Sequence, residues 1–121
     1  MTLDDVVERI SRLPIDFYAG SKSMVQLISE SGIATSPSAL SVQRLCTYVT
    51  ANPQIVDYWL RWSENKRVSS GWYFTRRASG FAVGFHPDGE ILNISDPHLA
   101  CAEFVAREVG SMMAHHHSAS P

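Results

Sequence analysis

The sequence has few cysteines, no long hydrophobic run and no excess of charge of either sign. Its 10 basic and 12 acidic residues give a formal net charge of -2, which argues against a general nucleic-acid coat or a polybasic membrane binder. No apolar run approaches the roughly 20 residues of a transmembrane helix. The N-terminal segment carries acids where a signal peptide carries basic residues, so we expect a cytoplasmic protein without a membrane partner.

Cysteine is limited to Cys46 and Cys101, which form no CxxC pair and lie in apolar helical patterns. Such residues are typical of buried free thiols in a reducing compartment. We favour that interpretation, and the sequence leaves a disulfide between the two cysteines open.

Motifs for nucleotide chemistry and catalysis are also missing. The sequence contains no GxxxxGK[ST] or GxGxxG stretch, and its carboxylates are scattered along the chain. His86 lies beside a predicted turn and His98 in the first turn of the last predicted helix, and neither has a recognised triad context. We therefore predict a protein that is not an enzyme and needs no cofactor.

The most conspicuous short run is formed by His115, His116 and His117. Consecutive histidines can chelate a divalent metal, but neighbours on one helix cannot all converge on one ion. No cluster of cysteine or carboxylate side chains accompanies them. A flexible tail over residues 114–121 is the favoured interpretation, and no metal site is predicted.

Helical signals fill the N-terminal half of a chain whose 121 residues suit a single domain, which we place at residues 1–113. Helix starts are marked by capping residues and helix ends by proline or glycine. The predicted order is a helix from the capping box at Thr2 and Asp5 to Pro14, a loop over Ile15–Gly20, a helix from Ser21 or Ser23 to Gly32, a helix capped by Ser41, and a helix over Pro53–Glu64 that Asn52 caps.

Strand signals follow in the C-terminal half. Strands are predicted at Trp72–Arg76, Gly80–His86 and Glu90–Ile94, joined by links too short for parallel crossovers. Asp96 followed by Pro97 then opens the last helix. The predicted class is α+β, with N-terminal helices, a three-stranded antiparallel meander and a C-terminal helix.

The helix predicted at Pro53–Glu64 is apolar around most of its circumference, which is typical of a helix at the centre of a core. We expect it to pack against Trp72 and Phe74 or their strand neighbours. Asp57 and Arg61 have the i, i+4 spacing of an ion pair along its polar stripe.

Charge is unevenly distributed along the second half of the sequence. Residues 61–79 hold five basic residues and one acid, interleaved with aromatics, whereas residues 80–121 hold one basic residue and five acids. A basic and aromatic stretch can bind single-stranded nucleic acid, but the same aromatics are needed for a core, and we favour the core. The acids expected to form an exposed face for a basic partner protein are Asp88, Glu90, Asp96 and Glu103.

Three segments carry a family resemblance: P-I-D-F-Y-A-G-S-K-S from Pro14, W-L-R-W-S-E-N-K-R-V-S-S-G-W-Y-F from Trp59, and D-P-H-L-A-C-A-E-F-V-A-R-E from Asp96. Together with the hairpin between the last two, they resemble small bacterial immunity proteins of contact-dependent growth inhibition and related toxin systems, over roughly residues 3 to 110. The resemblance implies a cytoplasmic antidote that binds the C-terminal toxin domain of a matching effector. Many such toxins are nucleases with basic substrate-binding surfaces.

Our hypothesis is an immunity protein that occludes the active or substrate-binding site of a toxin, with the four acids above contributing attraction. No contact residue is carried over from the family, because its binding surface diverges. The alternative is a small nucleic-acid-binding module over residues 61–77. It would use Lys66, Arg67, Arg76 and Arg77. A third, weaker alternative is an enzyme whose pocket joins His86 or His98 to a nucleophile.

Overall fold

The computed structural model describes residues 1–66 and 71–119, and within them the predicted α+β class is confirmed. The three strands form one antiparallel sheet in the order β1-β2-β3, which is the predicted meander. The elements are α1 Leu3–Ser11, α2 Leu13–Ala19, α3 Met24–Glu30, a 3-10 helix Pro37–Leu40, α4 Val42–Ala51, α5 Ile55–Lys66, β1 Gly71–Arg77, β2 Gly80–His86, β3 Gly89–Ile94 and α6 Pro97–Ala119.

Local capping bonds set the starts of four helices, as predicted. The Thr2 hydroxyl accepts from the Asp5 amide at 3.1 Å while the Asp5 carboxylate accepts from the Thr2 amide at 3.0 Å. Side-chain oxygens of Ser23, Ser41 and Asp96 accept backbone amides at the starts of α3, α4 and α6. Each bond satisfies an amide that has no partner inside its helix.

The loop predicted over Ile15–Gly20 is wrong, because α2 occupies most of it. Helix α1 ends at Ser11, before Pro14, and Pro14 is the second residue of α2. A proline in the first turn of a helix costs no hydrogen bond, since the first amides of a helix have no intrahelical acceptor. The proline therefore starts a second helix.

The helix predicted to start at Pro53 starts two residues later, because α5 begins at Ile55. Asn52 Nδ2 donates to the Tyr48 carbonyl at 3.0 Å, so its side chain serves the end of α4. The predicted Asp57–Arg61 pair is likewise wrong. Asp57 Oδ1 accepts from Arg76 Nη2 at 2.7 Å. The partner of Asp57 therefore lies on β1 and is not Arg61 in the next turn of α5.

The register of the sheet contains one irregularity. Val83 is opposite Leu92 and Gly84 is opposite Glu90, so Ile91 is an extra residue in β3, as in a β-bulge. The Tyr73 side chain of β1 lies across Gly84 so closely that a Cβ atom there would overlap it. Glycine is therefore required at this point of β2.

Three aromatic residues connect α5, α6 and β1 in the core. Trp59 and Phe104 are fully buried and meet edge to face at 5.9 Å between ring centroids. Phe104 stacks on Phe74 of β1 at 5.6 Å. Trp59 Nε1 donates to the Ser11 carbonyl at 2.9 Å, which attaches α5 to the end of α1. The predicted packing of α5 against β1 is confirmed. The predicted central position is not, because α5 lies along the edge of the sheet and buries one face only, at Ile55, Val56, Trp59 and Ser63.

A hydrogen bond from the sheet to α5 defines how the helix lies against β1. The Phe74 amide donates to Ser63 Oγ at 2.7 Å. Amides of a strand point along the sheet plane, toward a neighbouring strand or away from one. Among the described residues β2 is the only strand beside β1, so an acceptor on α5 indicates that the helix covers the outer edge of β1.

Both cysteines are free thiols; Cys101 is fully buried and Cys46 is half-buried. Burial raises the pKa of the Cys101 thiol above its usual range.

Helix α6 continues to Ala119, through part of the segment predicted as a tail. The side chains of residues 115–119 lie outside the description, so the histidine run and the boundary at residue 113 stay predictions. None of the helices in the described part of the chain has the length and hydropathy to span a bilayer.

We expect Ser63→Ala to lower the free energy of unfolding by about 1–3 kcal/mol, because the buried Phe74 amide loses its acceptor. Chemical denaturation followed by tryptophan fluorescence measures the change. Ser38→Ala is the control, since Ser38 is exposed on the 3-10 helix. Equal unfolding midpoints for the two variants would contradict the assigned role of Ser63.

Candidate functional site

The four acids predicted to bind a partner lie around β3 and on α6. Asp88 is exposed in the β2–β3 turn, and Asp96 follows the other end of β3. Since a strand advances about 3.3 Å per residue, the six residues of β3 keep Asp88 and Asp96 on the order of 20 Å apart. Glu90 belongs to β3, but its side chain is outside the described part. The acids therefore border one strand and do not form a compact cluster.

Two of the predicted acids already have intramolecular roles. Asp96 Oδ1 accepts from the His98 amide at 2.9 Å, yet 54% of its side chain stays exposed. Glu103 forms an ion pair with Arg107 one helical turn later on α6. Arg107 also lies over the Trp72 ring at 5.6 Å. Glu103 therefore contributes less net charge to the surface than Asp88 or Asp96.

Glu108 was counted among the acids of the C-terminal half, but it is buried. Its Oε2 accepts from Trp62 Nε1 at 2.9 Å and from Lys66 Nζ at 2.5 Å. Only 12% of the Lys66 side chain and 5% of the Glu108 side chain are exposed. The pair joins α5 to α6 inside the protein and is unavailable to a partner.

The sequence does contain a signal for the burial of Glu108. It follows Cys101, Phe104 and Val105 by seven, four and three positions, the spacing of residues on one helical face. All three are fully buried. A carboxylate on such a face needs an internal partner, and Lys66 supplies it.

The basic stretch of the nucleic-acid alternative is dispersed in the structure. Lys66 is internal, Arg76 pairs with Asp57, and Arg67 lies outside the described residues. Arg77 donates to the Arg76 carbonyl at 3.3 Å. The four residues predicted to bind nucleic acid therefore do not form one basic surface among the residues described.

A groove of about 480 Å³ runs between α5 and β1. Tyr73 and His86 line it on the sheet surface opposite Phe74, and their rings stack at 4.4 Å between centroids. Glu64 lines the same groove, and its negative charge offsets the positive charge of Arg76 and Arg77, which also line it. Nucleobase stacking there would have to occur on a ring pair that is already stacked internally.

A larger open groove, about 810 Å³, lies between α1 and α4 and was not predicted. Asp4, Asp5 and Glu8 line one side and Arg44 lines the other. Tyr48 Oη donates to Glu8 Oε1 at 3.2 Å. Burial, and then the adjacent Glu8 carboxylate, raise the pKa of Tyr48, so this phenol stays protonated near neutral pH. The groove offers polar contacts without an activated nucleophile.

The histidines do not form a catalytic arrangement in the described part of the chain. His86 stacks on Tyr73, and His98 Nδ1 lies 3.4 Å from Asp96 Oδ1. No hydrogen bond joins either imidazole to a serine, threonine or cysteine among residues 1–66 and 71–119. Within the same residues there is no group of three histidine, cysteine, aspartate or glutamate side chains able to hold a metal.

The chain matches no known protein family model, and it has no significant match among curated proteins or solved structures. The resemblance to immunity proteins therefore stays a hypothesis that the surface of this molecule must support.

We expect Lys66→Met to destabilise the protein by about 3–5 kcal/mol, because it leaves the Glu108 carboxylate buried without its cation. The double variant Lys66→Met/Glu108→Gln should recover more than half of that loss, since the amide oxygen of glutamine still accepts from Trp62. Denaturant titrations of the single and double variants measure both values.

Lys22→Met is the matched control for this ion pair. Lys22 Nζ lies 2.6 Å from Glu30 Oε1, but about half of each side chain is exposed. Exposed pairs contribute at most about 1 kcal/mol. A loss in Lys66→Met no larger than in Lys22→Met would contradict the internal role of the Lys66–Glu108 pair.

Proposed function

We propose that this protein is an immunity protein that binds a cognate toxin domain, most simply a nuclease domain, and occludes its active or substrate-binding site. Binding is stoichiometric and involves no chemical step on this chain. The protein acts in the cytoplasm, where the toxin would otherwise reach its target.

The observation that carries the proposal is the acidic border of β3. Residues 78–106 contain no lysine or arginine, and they include all four predicted partner-binding acids. Asp88 is exposed at one end of β3, and Asp96 is more than half exposed at the other. The chain as a whole is nearly neutral, so the two ends of this strand carry exposed acids without a basic residue from the same segment of sequence.

An acidic surface of this kind suits a nuclease as a partner. A nuclease binds the phosphate backbone through basic side chains, and those side chains attract exposed carboxylates. Complementary charge mainly speeds association and aligns the two proteins, while contacts at the centre of the interface hold them together. An inhibitor docked on the basic surface would also exclude the nucleic acid.

Production of this chain should protect cells against the C-terminal toxin domain of the effector encoded beside its gene, and the two purified proteins should form a one-to-one complex. Growth of cells that express the toxin domain, with and without this chain, measures protection. Co-elution from a sizing column measures the complex. Full toxicity in the presence of folded chain would refute the proposal.

The variant Asp88→Lys/Asp96→Asn should slow association with the toxin domain about tenfold at low ionic strength, because the rate enhancement comes from charge. Asparagine is used at residue 96 because it still caps α6. Asp16→Lys/Asp4→Asn makes the same change in net charge on α1 and α2 and is expected to bind like the wild type. Stopped-flow association rates at two salt concentrations separate the outcomes.

A nucleic-acid module would behave differently in one further measurement. It would be retained on single-stranded nucleic acid at low salt and released as salt rises. The immunity protein is expected to pass through such a column, because its accessible charge around β3 is negative.

A further inference from the structure

We propose that the toxin docks by adding an extended strand of its own to the outer edge of β3. The inference rests on the proposed function and names the surface and the kind of partner segment involved. Strand addition would give the complex main-chain hydrogen bonds, with side chains at the edge supplying selectivity.

The two edges of the sheet differ in how they are covered. The outer edge of β1 lies under α5, and the Phe74 amide is already bonded to Ser63. In the described part of the chain, β3 pairs with β2 alone, and no side-chain hydrogen bond among the described residues reaches its outer edge. The amides and carbonyls of β3 that point away from β2 are therefore open to a further strand.

The outer edge of β3 is only partly protected against pairing with another strand. A bulge and a charged residue, Glu90, commonly blunt an open edge and are present, but lysine and proline are absent from the sequence Gly-Glu-Ile-Leu-Asn-Ile. Ile91 is 52% exposed, the highest value after Met1 among the large hydrophobic residues that the structure describes. An isoleucine left this exposed on a strand edge is an apolar contact for an incoming chain.

The bulge in β3 is compatible with this role. Ile91 is the extra residue, so it has no direct opposite on β2, and its side chain turns outward. Leu92, Asn93 and Ile94 then continue in regular register with β2. Bulges are known to re-aim a side chain or to end pairing. Here the bulge presents Ile91 beside three regularly paired residues, enough for a short added strand.

Charge distinguishes a foreign strand from a second copy of this chain. Antiparallel pairing of two β3 strands would bring Asp88 of one copy near Asp96 of the other, at both ends of the pair. Like charges on adjacent strands are destabilising. A strand with a basic residue near each end and an apolar residue between them satisfies both acids and covers Ile91. That segment fits a nuclease toxin and not a homodimer.

The test compares Ile91→Lys with Val25→Lys, using the C-terminal toxin domain of the adjacent effector as the probe. Val25 is an exposed apolar residue of similar shape on α3, 42% exposed. We expect Ile91→Lys to weaken the dissociation constant about tenfold or more, because it places a cation against a basic strand and removes the apolar contact. Val25→Lys should bind like the wild type.

Hydrogen exchange of the wild-type protein provides a second measurement that needs no substitution. The outward-pointing amides within Leu92–Ile94 should exchange at least about tenfold more slowly in the complex than in the free protein, since strand addition gives them acceptors. Amides of β1 should change little, because α5 already covers that edge. This measurement decides the question even if Ile91→Lys fails to fold.

The outcomes separate the docking site from the function. A protective complex with unchanged exchange in β3 would overturn strand addition and leave the immunity function standing. Absence of any complex with wild-type protein would overturn both. Slowed exchange in β3 that appears without toxin, as the concentration of this chain rises, would identify a second copy as the occupant and would also overturn the proposal.

Discussion

The hydrogen bond between the Phe74 amide and Ser63 fixes the arrangement on which the rest of the molecule depends. It holds α5 along the outer edge of β1 at 2.7 Å, where a fourth strand would otherwise be possible. With α5 in that position, Trp59 reaches the Phe104 ring of α6, and Phe104 in turn covers Phe74. One side-chain acceptor therefore closes one edge of the sheet and aligns two of the helices that contribute to the core.

The same arrangement determines which charges reach the surface. Bringing α5 beside α6 buries Glu108 against Lys66 and Trp62, and bringing α5 beside β1 gives Asp57 its partner Arg76. These two ion pairs neutralise Lys66 and Arg76, two of the five basic residues within residues 61–79. Around β3, by contrast, Asp88 and Asp96 remain exposed. The acidic character of that edge follows from where the arginines and lysines are used as much as from where the acids are.

Features that depend on residues within about four positions of one another were predictable from the sequence. The structure confirms the capping bonds of Thr2, Ser41 and Asp96 and the two short links of the meander. The errors at Pro14 and at Asn52 arose because each residue type suits two local structures. A proline can follow the end of one helix or lie in the first turn of the next, and an asparagine can cap the start of a helix or bond to the end of the preceding one. Packing against distant residues selects between them. The partners of Asp57 and Lys66 were not predictable by local spacing, since both lie on other elements.

The open edge of β3 has its own origin in chain connectivity. Only Ser95 and Asp96 separate β3 from α6, so the helix must turn back at once. It crosses the sheet surface that carries Phe74, and there Phe104 and the other residues of its apolar face are buried. A helix placed there cannot also lie along the edge of β3. Because the N-terminal helices pack on α4, α5 and α6, no described segment remains to cover that edge. A small domain that ends in this way presents one strand to its surroundings, and protein recognition by main-chain pairing uses that feature directly.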